Sequence, residues 1–388
     1  MRHSFQKKNC YTNYTKMSGK RVAVIHYMPL EIYPPVMNLI RCWDNGNTAN
    51  QMDVYTTSPE HSMRFSPSSG TIHIKRLGVS GKKRRFLSGL LHYCYYYLGT
   101  LYGLIKTRPA NVLYFDTISS FPAIVYKNVF KRNCRLFIHY NEYMSPEEYR
   151  HGMLLVKQFH KWEKKNYKKA NWLSHTNQER MDLFTADLPG ITIPNKYILP
   201  NYPPANWAFD KTGTIEWPVK IVYTGAVSMD SMYLQLFAEW ILKHKGAINW
   251  DIYSLNITED AKDYIQKLPG NIIRLHNGVD YYHLPEILKK YHVGVILYKG
   301  HIPNYIFNAP NKLFEYATCG LDVWFPDHMQ SSTQYITMRT YPKITALNFQ
   351  QLGEVKVDEL ISRDGCKFQH AAFACETVLT PLLQKLAG

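Results

Sequence analysis

No Gly-x-Gly-x-x-Gly follows either of the two candidate opening strands of this 388-residue chain, residues 21–27 (RVAVIHY) and 220–224 (KIVYT). Those glycines let a dinucleotide's pyrophosphate approach the turn between strand and helix, so their absence excludes a dinucleotide-dependent oxidoreductase. There is no Asp-x-Asp pair and no cluster of carboxylates at oxygen-ligand spacing, so no metal site is expected. The seven cysteines include no Cys-x-x-Cys and no Cys/His metal spacing. A zinc site and a disulfide framework are therefore excluded, and free thiols in a reduced, cytoplasmic compartment are expected. The first twenty residues lack the apolar core of a secretory signal and read as a loose basic tail. Carboxylates are scarce, 30 Asp and Glu against 46 Lys and Arg, which leaves a formal charge of +16 and a surface that attracts anions. No recognisable RNA or DNA module accompanies that charge, and the aromatic residues fall mostly on apolar strand and helix faces. Nucleic acid is not an expected partner.

Charge is missing altogether from residues 86–105, FLSGLLHYCYYYLGTLYGLI, a stretch about as long as a membrane span. Lys82, Lys83, Arg84 and Arg85 precede it, and Lys106 and Arg108 follow. Spanning would put the strands before and after it on opposite sides of a bilayer and break an otherwise continuous α/β pattern. Two readings stay open: a helix packed over a sheet, or one resting on anionic lipid with its tyrosines at headgroup depth.

Short apolar runs of buried-strand type recur, at residues 21–27, 52–57, 71–75, 112–115, 135–139 and 172–175, with helical patterns in most of the gaps, including 36–43. Strand and helix in alternation predict a mostly parallel sheet with helices on both faces. Between residues 199 and 219 the pattern lapses into a Pro- and Asn-rich stretch that reads as a linker. A second series follows, with strands at 220–224, 250–254, 272–275, 293–297 and 322–325, a helix at 231–244 and a final helix at 368–386. The expected layout is a tail at 1–20, a first Rossmann-like domain at 21–200, a linker at 201–218 and a second Rossmann-like domain at 219–366. The closing segment, 367–388, is expected to cross back onto the first domain. Such doubly wound domains create a cleft, and ligands bind outside the carboxyl ends of the strands.

The most informative stretch is residues 309–320, APNKLFEYATCG. Pro310 suits the first position of a helix and Gly320 the residue just past its end. Asn311 and Lys312 then occupy the first turn, where free N–H groups and the helix dipole favour an anion and the ammonium adds a full charge. Glu315 lies on the same face about 5 Å along the axis. It is placed to accept hydrogen bonds from a diol, and ribose hydroxyls lie about that far from the pyrophosphate of a nucleoside diphosphate. An ordinary surface pair on an ordinary helix is the competing reading.

With these pieces in place the chain resembles the α/β GT-B glycosyltransferases, especially the retaining family four of bacterial polysaccharide and glycolipid synthesis. The resemblance covers most of the chain from about Arg21. It is carried by GVDYYHLPEILKKYHVGVILY, residues 278–298, and NAPNKLFEYATCGLDV, residues 308–323. It implies a donor site in which Val279 packs near the base, the helix start with Asn308, Asn311 and Lys312 takes the pyrophosphate, and Glu315 holds the ribose. Gly225, in the glycine loop YTGAVSMD, belongs to the same implied site. In the first domain LFIHYNEYMSPEEY, residues 136–149, looks like the family's strand-end histidine and acceptor loop, which implies that His139 reaches toward the donor sugar. Without the resemblance, a core histidine is the reading of His139.

Two departures stand out. Phe307 occupies the place of a glutamate eight positions before the ribose glutamate, and the loop after Gly225 carries Asp230 but no Lys or Arg. Lys312 and the helix end, with Lys299, are then left to carry the leaving-group charge. The resemblance implies transfer from a nucleotide sugar, with a UDP sugar favoured, to a glycan or lipid-linked acceptor in cell-surface polysaccharide synthesis. It further implies retention at the anomeric carbon, no cofactor, and an anionic membrane surface as partner. The alternative that the departures raise is a catalytically weakened relative that partners another transferase.

Overall fold

A computed structural model describes residues 19–46, 50–59, 64–80, 86–211, 215–244 and 246–388. The expected tail, up to residue 18, and the basic run Lys82, Lys83, Arg84 and Arg85 lie outside the described residues. The described chain divides into two compact units. One holds residues up to 115 with 119–137 and 379–388; the other holds 116–118 and 138–378.

Fifteen strands are assigned among the described residues: β1 Arg21–Ile25, β2 Gln51–Ser58, β3 Ile72–Val79, β4 Asn111–Phe115, β5 Arg135–Tyr140, β6 Ala170–His175, β7 Lys196–Ile198, β8 Val219–Thr224, β9 Ile248–Ser254, β10 Ile273–Asn277, β11 Val293–Val295, β12 Asp322–Pro326, β13 Thr340–Tyr341, β14 Ile344–Leu347 and β15 Lys367–Phe368. They form a seven-stranded sheet of order β3-β2-β1-β4-β5-β6-β7, a six-stranded sheet of order β10-β9-β8-β11-β12-β14, and the pair β13-β15. The second sheet is parallel throughout. In the first, β1 pairs in parallel with β2 and β4, β2 with β3, and β6 with β7. Sheets covered on both faces need strands that are apolar at every position, which is why the sequence runs were legible. In β1, Val22, Ala23, Val24 and Ile25 are all fully buried. In the second unit Tyr223, Phe237, Trp250, Val295 and Trp324 form one core around β8, β9, β11 and β12.

In the first unit the uncharged segment forms one helix, Phe86–Thr107. Gly99 and Gly103 let it lie close to the sheet, since a Cβ at Gly103 would stand 2.4 Å from Tyr55 Cε1. The Tyr96 hydroxyl donates to the Tyr55 carbonyl at 3.2 Å. Among the described residues no helix is long and apolar enough to cross a membrane.

The closing helix differs from expectation: it runs Cys375–Ala387, not from residue 368. Phe368 sits at helical spacing from later apolar residues, but it pairs as a strand instead, with Lys367 N donating to Arg339 O at 2.9 Å and Gln369 N to Tyr341 O at 3.0 Å. Within the first unit the end of the helix is anchored by Asn111 Nδ2, which donates to Leu386 O at 2.6 Å. Strands β7 and β14, short and only partly apolar, were not anticipated.

Candidate functional site

The strand order of the six-stranded sheet reverses between β8 and β11, the two strands on either side of its topological switch point. Chains leaving the carboxyl ends of such neighbours diverge to opposite faces and leave a crevice, the usual ligand position in this architecture. Gly225 follows β8 there, Tyr298 and Lys299 follow β11, and helix Asn311–Thr318 connects β11 to β12. Pro310 is the cap residue with extended backbone (φ −74°, ψ 154°), one position earlier than expected, and Gly320 takes the left-handed turn past the end at φ +75°.

Lys312 reaches into this crevice. Its ammonium donates to the Tyr298 hydroxyl at 3.0 Å and lies 5.5 Å from the ring centroid of Tyr223 and 5.6 Å from that of Tyr298. Burial opposes its charge, but the oxygens of Tyr298, Tyr223 and Tyr316 outweigh that and hold its pKa above the usual lysine value. Cation–π contact and a neutral hydroxyl steady the charge without neutralising it, so it remains available to an anion. Tyr316, on the same helix, is fixed by accepting from Thr224 N at 2.9 Å, and Gly294 on β11 makes room for its ring.

Glu315 is 5 % exposed and forms no hydrogen bond or ion pair with the described residues. Burial pushes its carboxyl up to about 7, with Lys312 pulling the other way. Burial of a carboxyl is costly, and a polar ligand group that donates to it would lower that cost.

Gly225 has φ +132°, and a Cβ built there would lie 2.7 Å from both Cε and Nζ of Lys312. Glycine is therefore required twice over, by backbone conformation and by the approach of the lysine. Gly225→Ala should destabilise the fold by about 1–3 kcal/mol and displace the ammonium from Tyr298, read as a lower denaturant midpoint.

The remaining expected residues have contacts of their own. Val279 follows β10, where Gly278 passes so close to Leu255 that a Cβ would stand 2.7 Å from its backbone nitrogen. Asn308 accepts from Ser332 Oγ through its carbonyl at 2.8 Å, and Asn311 opens the helix. Lys299 is committed elsewhere, with Nζ donating to Met229 O at 2.9 Å, and it lines an open cavity of about 500 Å³ with His301 and His328. His139 lies on β5, 1 % exposed, with Nδ1 2.8 Å from Ser174 Oγ, and burial lowers its pKa to about 3. It is a neutral imidazole at physiological pH. The partners of Lys312 are tyrosines, and His139 is not among them.

Sequence reading missed a second polar cluster of the same unit. Asp116, just past β4, has the left-handed φ of +56°, and its carboxylate accepts from Asn141 N at 2.8 Å and Nδ2 at 2.9 Å. Burial raises its pKa to about 7. A non-glycine residue in this conformation at a strand end is a mark of a functional position. Buried Arg180 donates to Asn141 O at 2.9 Å, Thr176 Oγ1 at 3.0 Å and Asn304 O at 2.8 Å. Asn304 lies in the short helix Pro303–Ile306, directly before the Asn308–Glu315 segment. Arg180 thus ties the strand ends of β5 and β6 to the short helix that precedes Asn308 and Lys312. Arg180→Ala should cost about 3 kcal/mol or more, since three carbonyl and hydroxyl acceptors lose a charged donor, and urea unfolding would measure it.

No protein-family model matches the sequence, and no curated protein matches it. Solved structures do. The chain is similar to the lipopolysaccharide outer core galactosyltransferase WaaB (TM-score 0.55, 13 % identity, 94 % of this chain and 97 % of that one). It is also similar to Anabaena HepE in complex with UDP and glucose (TM-score 0.63, 8 % identity, 95 % and 99 %). The chain has the GT-B fold. The same fold is shared by UDP-GlcNAc 2-epimerase from Neisseria meningitidis bound to UDP-GlcNAc (TM-score 0.56, 11 % identity, 94 % and 100 %). A GT-B fold therefore serves more than one chemistry, and what this chain does has to be argued from its site.

Proposed function

We propose that this protein is a retaining, metal-independent glycosyltransferase. It moves a hexose from a UDP sugar to a glycan or lipid-linked acceptor in cell-surface polysaccharide synthesis, at the cytoplasmic face of a membrane. The observation that carries the reading is the pairing of a charged Lys312, steadied by Tyr298 and Tyr223 at the switch point, with a buried Glu315 carboxyl that has no hydrogen-bond partner among the described residues, one helical turn further in. The helix N-terminus and Lys312 would take the diphosphate, and Glu315 the ribose diol. HepE, with UDP and glucose bound, favours a UDP hexose.

In the transfer, the bond between the anomeric carbon and the diphosphate oxygen breaks as the acceptor oxygen bonds to that carbon from the same face. The acceptor proton passes to the departing phosphate. Lys312 and the helix dipole are positioned beforehand for the charge that develops on the leaving group, and no reorganisation is required during the step. In this reading the positive charge at the leaving group is assigned to Lys312.

The test is a thermal-shift panel of UDP, GDP, ADP and dTDP in EDTA, followed by donor hydrolysis and transfer assays with the UDP hexoses. Selective stabilisation by UDP and turnover in EDTA are expected. No stabilisation by any diphosphate would sink the donor site. Binding without turnover would leave a silent partner of another transferase, and interconversion of UDP sugars without acceptor would indicate an epimerase.

A further inference from the structure

The helix Phe86–Thr107 has two faces, and the sheet of the first unit uses only one. Tyr96, Tyr97, Thr100 and Leu104 are buried. On the other face Leu91, Tyr95, Leu98, Tyr102 and Ile105 are exposed by 70, 58, 62, 67 and 36 %. Their spacing of four, three, four and three residues makes a straight apolar stripe along about four turns. An exposed patch of this size on a single element marks an interaction surface.

Charge decides what kind of surface meets it. Residues 61–115 contain nine Lys and Arg and not one Asp or Glu; two of the nine, Lys75 and Arg76, are paired with Asp53 and Glu31 from earlier in the chain. Lys106 and Arg108 are exposed at the end of the helix, and Arg132 is exposed beyond the turn Tyr126–Phe130 that packs against it. The same turn exposes Val129 and Phe130, by 67 and 51 %. A second copy of the chain suits this face poorly. The positions flanking the stripe, among them His92, Cys94 and Gly99, carry no pairs of opposite charge, and both ends of the segment are basic in sequence, so either helix orientation would set like charges together. An anionic lipid surface suits it well: leucine and isoleucine enter the acyl boundary, tyrosines sit at headgroup depth, and the flanking cations meet lipid phosphates.

We propose that the Leu91–Ile105 face of this helix, with Lys106, Arg108 and Arg132 at its end, is a docking surface for anionic bilayer. It deepens the membrane-side placement in the proposed function, but it rests on the exposed stripe and its charge and stands whether or not the donor site is correct.

The experiment is co-sedimentation with vesicles of phosphatidylcholine alone or with 30 mol % phosphatidylglycerol, on about that scale of anionic charge, using the full chain and the double variant Leu98→Glu/Tyr102→Glu. Both positions point to solvent, so the melting temperature and the shift on adding UDP should match those of the unaltered chain. Binding to the anionic vesicles should exceed that to neutral ones by at least about tenfold, fall with salt, and be lost in the variant. Equal binding by both proteins, or none by either, would overturn the proposal. So would an unaltered chain that sediments as a dimer without lipid and a variant that sediments as a monomer.

Discussion

Lys312→Ala should lower affinity for UDP by about 100-fold, or about 2.7 kcal/mol, while leaving the chain folded but with a lower denaturation midpoint. The two halves of that expectation come from one observation. The ammonium sits among Tyr223, Tyr298 and Tyr316, where its own desolvation is unfavourable and is offset by ring faces and one hydroxyl. Removing it takes away a charge that the folded state favours, since its pKa is raised there, so stability falls along with binding. A diphosphate loses its only lysine contact within the helix start and keeps the backbone N–H groups, so binding weakens without vanishing. Isothermal calorimetry and chemical denaturation on the same preparations would read both. A variant that binds UDP as tightly as the parent would remove Lys312 from the site. One that simply unfolds would make it structural.

The second large effect is a pH dependence located at Glu315. Its carboxyl is pushed up to about 7 by burial, so below that pH it is protonated and accepts poorly from a diol. UDP affinity should therefore rise about tenfold between pH 6 and pH 8. Glu315→Gln should show only the titration of the terminal phosphate, whose pKa is about 6. Stability runs in the opposite direction. A carboxyl raised above its unfolded value of 4.5 favours the folded state below that value, and the contribution is lost as pH rises through 7. The interval corresponds to about 3 kcal/mol at about 1.4 kcal/mol per pH unit. Glu315→Gln should thus be the more stable protein at pH 8, with the two converging near pH 4. Parallel pH profiles for parent and variant would show that the carboxyl is neither buried in the free protein nor used by the ligand.

The sequence by itself determined the parallel α/β architecture, because strands covered on both faces must be apolar throughout and announce themselves as runs such as RVAVI and DVWFP. It also located helix Asn311–Thr318 to within a residue of its start, since proline and glycine act through local backbone geometry that needs no distant partner. Lys312 and Glu315 followed from the same local signals. What the sequence could not contain is the company these residues keep. Tyr223, Gly225 and Tyr298 meet Lys312 only because the strand order reverses between β8 and β11, a matter of which strands pair. Lys299 is expected from the sequence to assist Lys312 with the leaving-group charge, but its ammonium is held on the Met229 carbonyl. Tertiary packing put His139 against Ser174 with its pKa depressed, and gave Asp116 its left-handed backbone between β4 and Asn141. The Phe86–Thr107 helix shows the division most plainly: the absence of charge was written in the sequence, but an all-round apolar segment has no readable inner face. Only contact with Tyr55 and Leu77 decided that Tyr96 and Leu104 are core and that Leu98 and Tyr102 are surface.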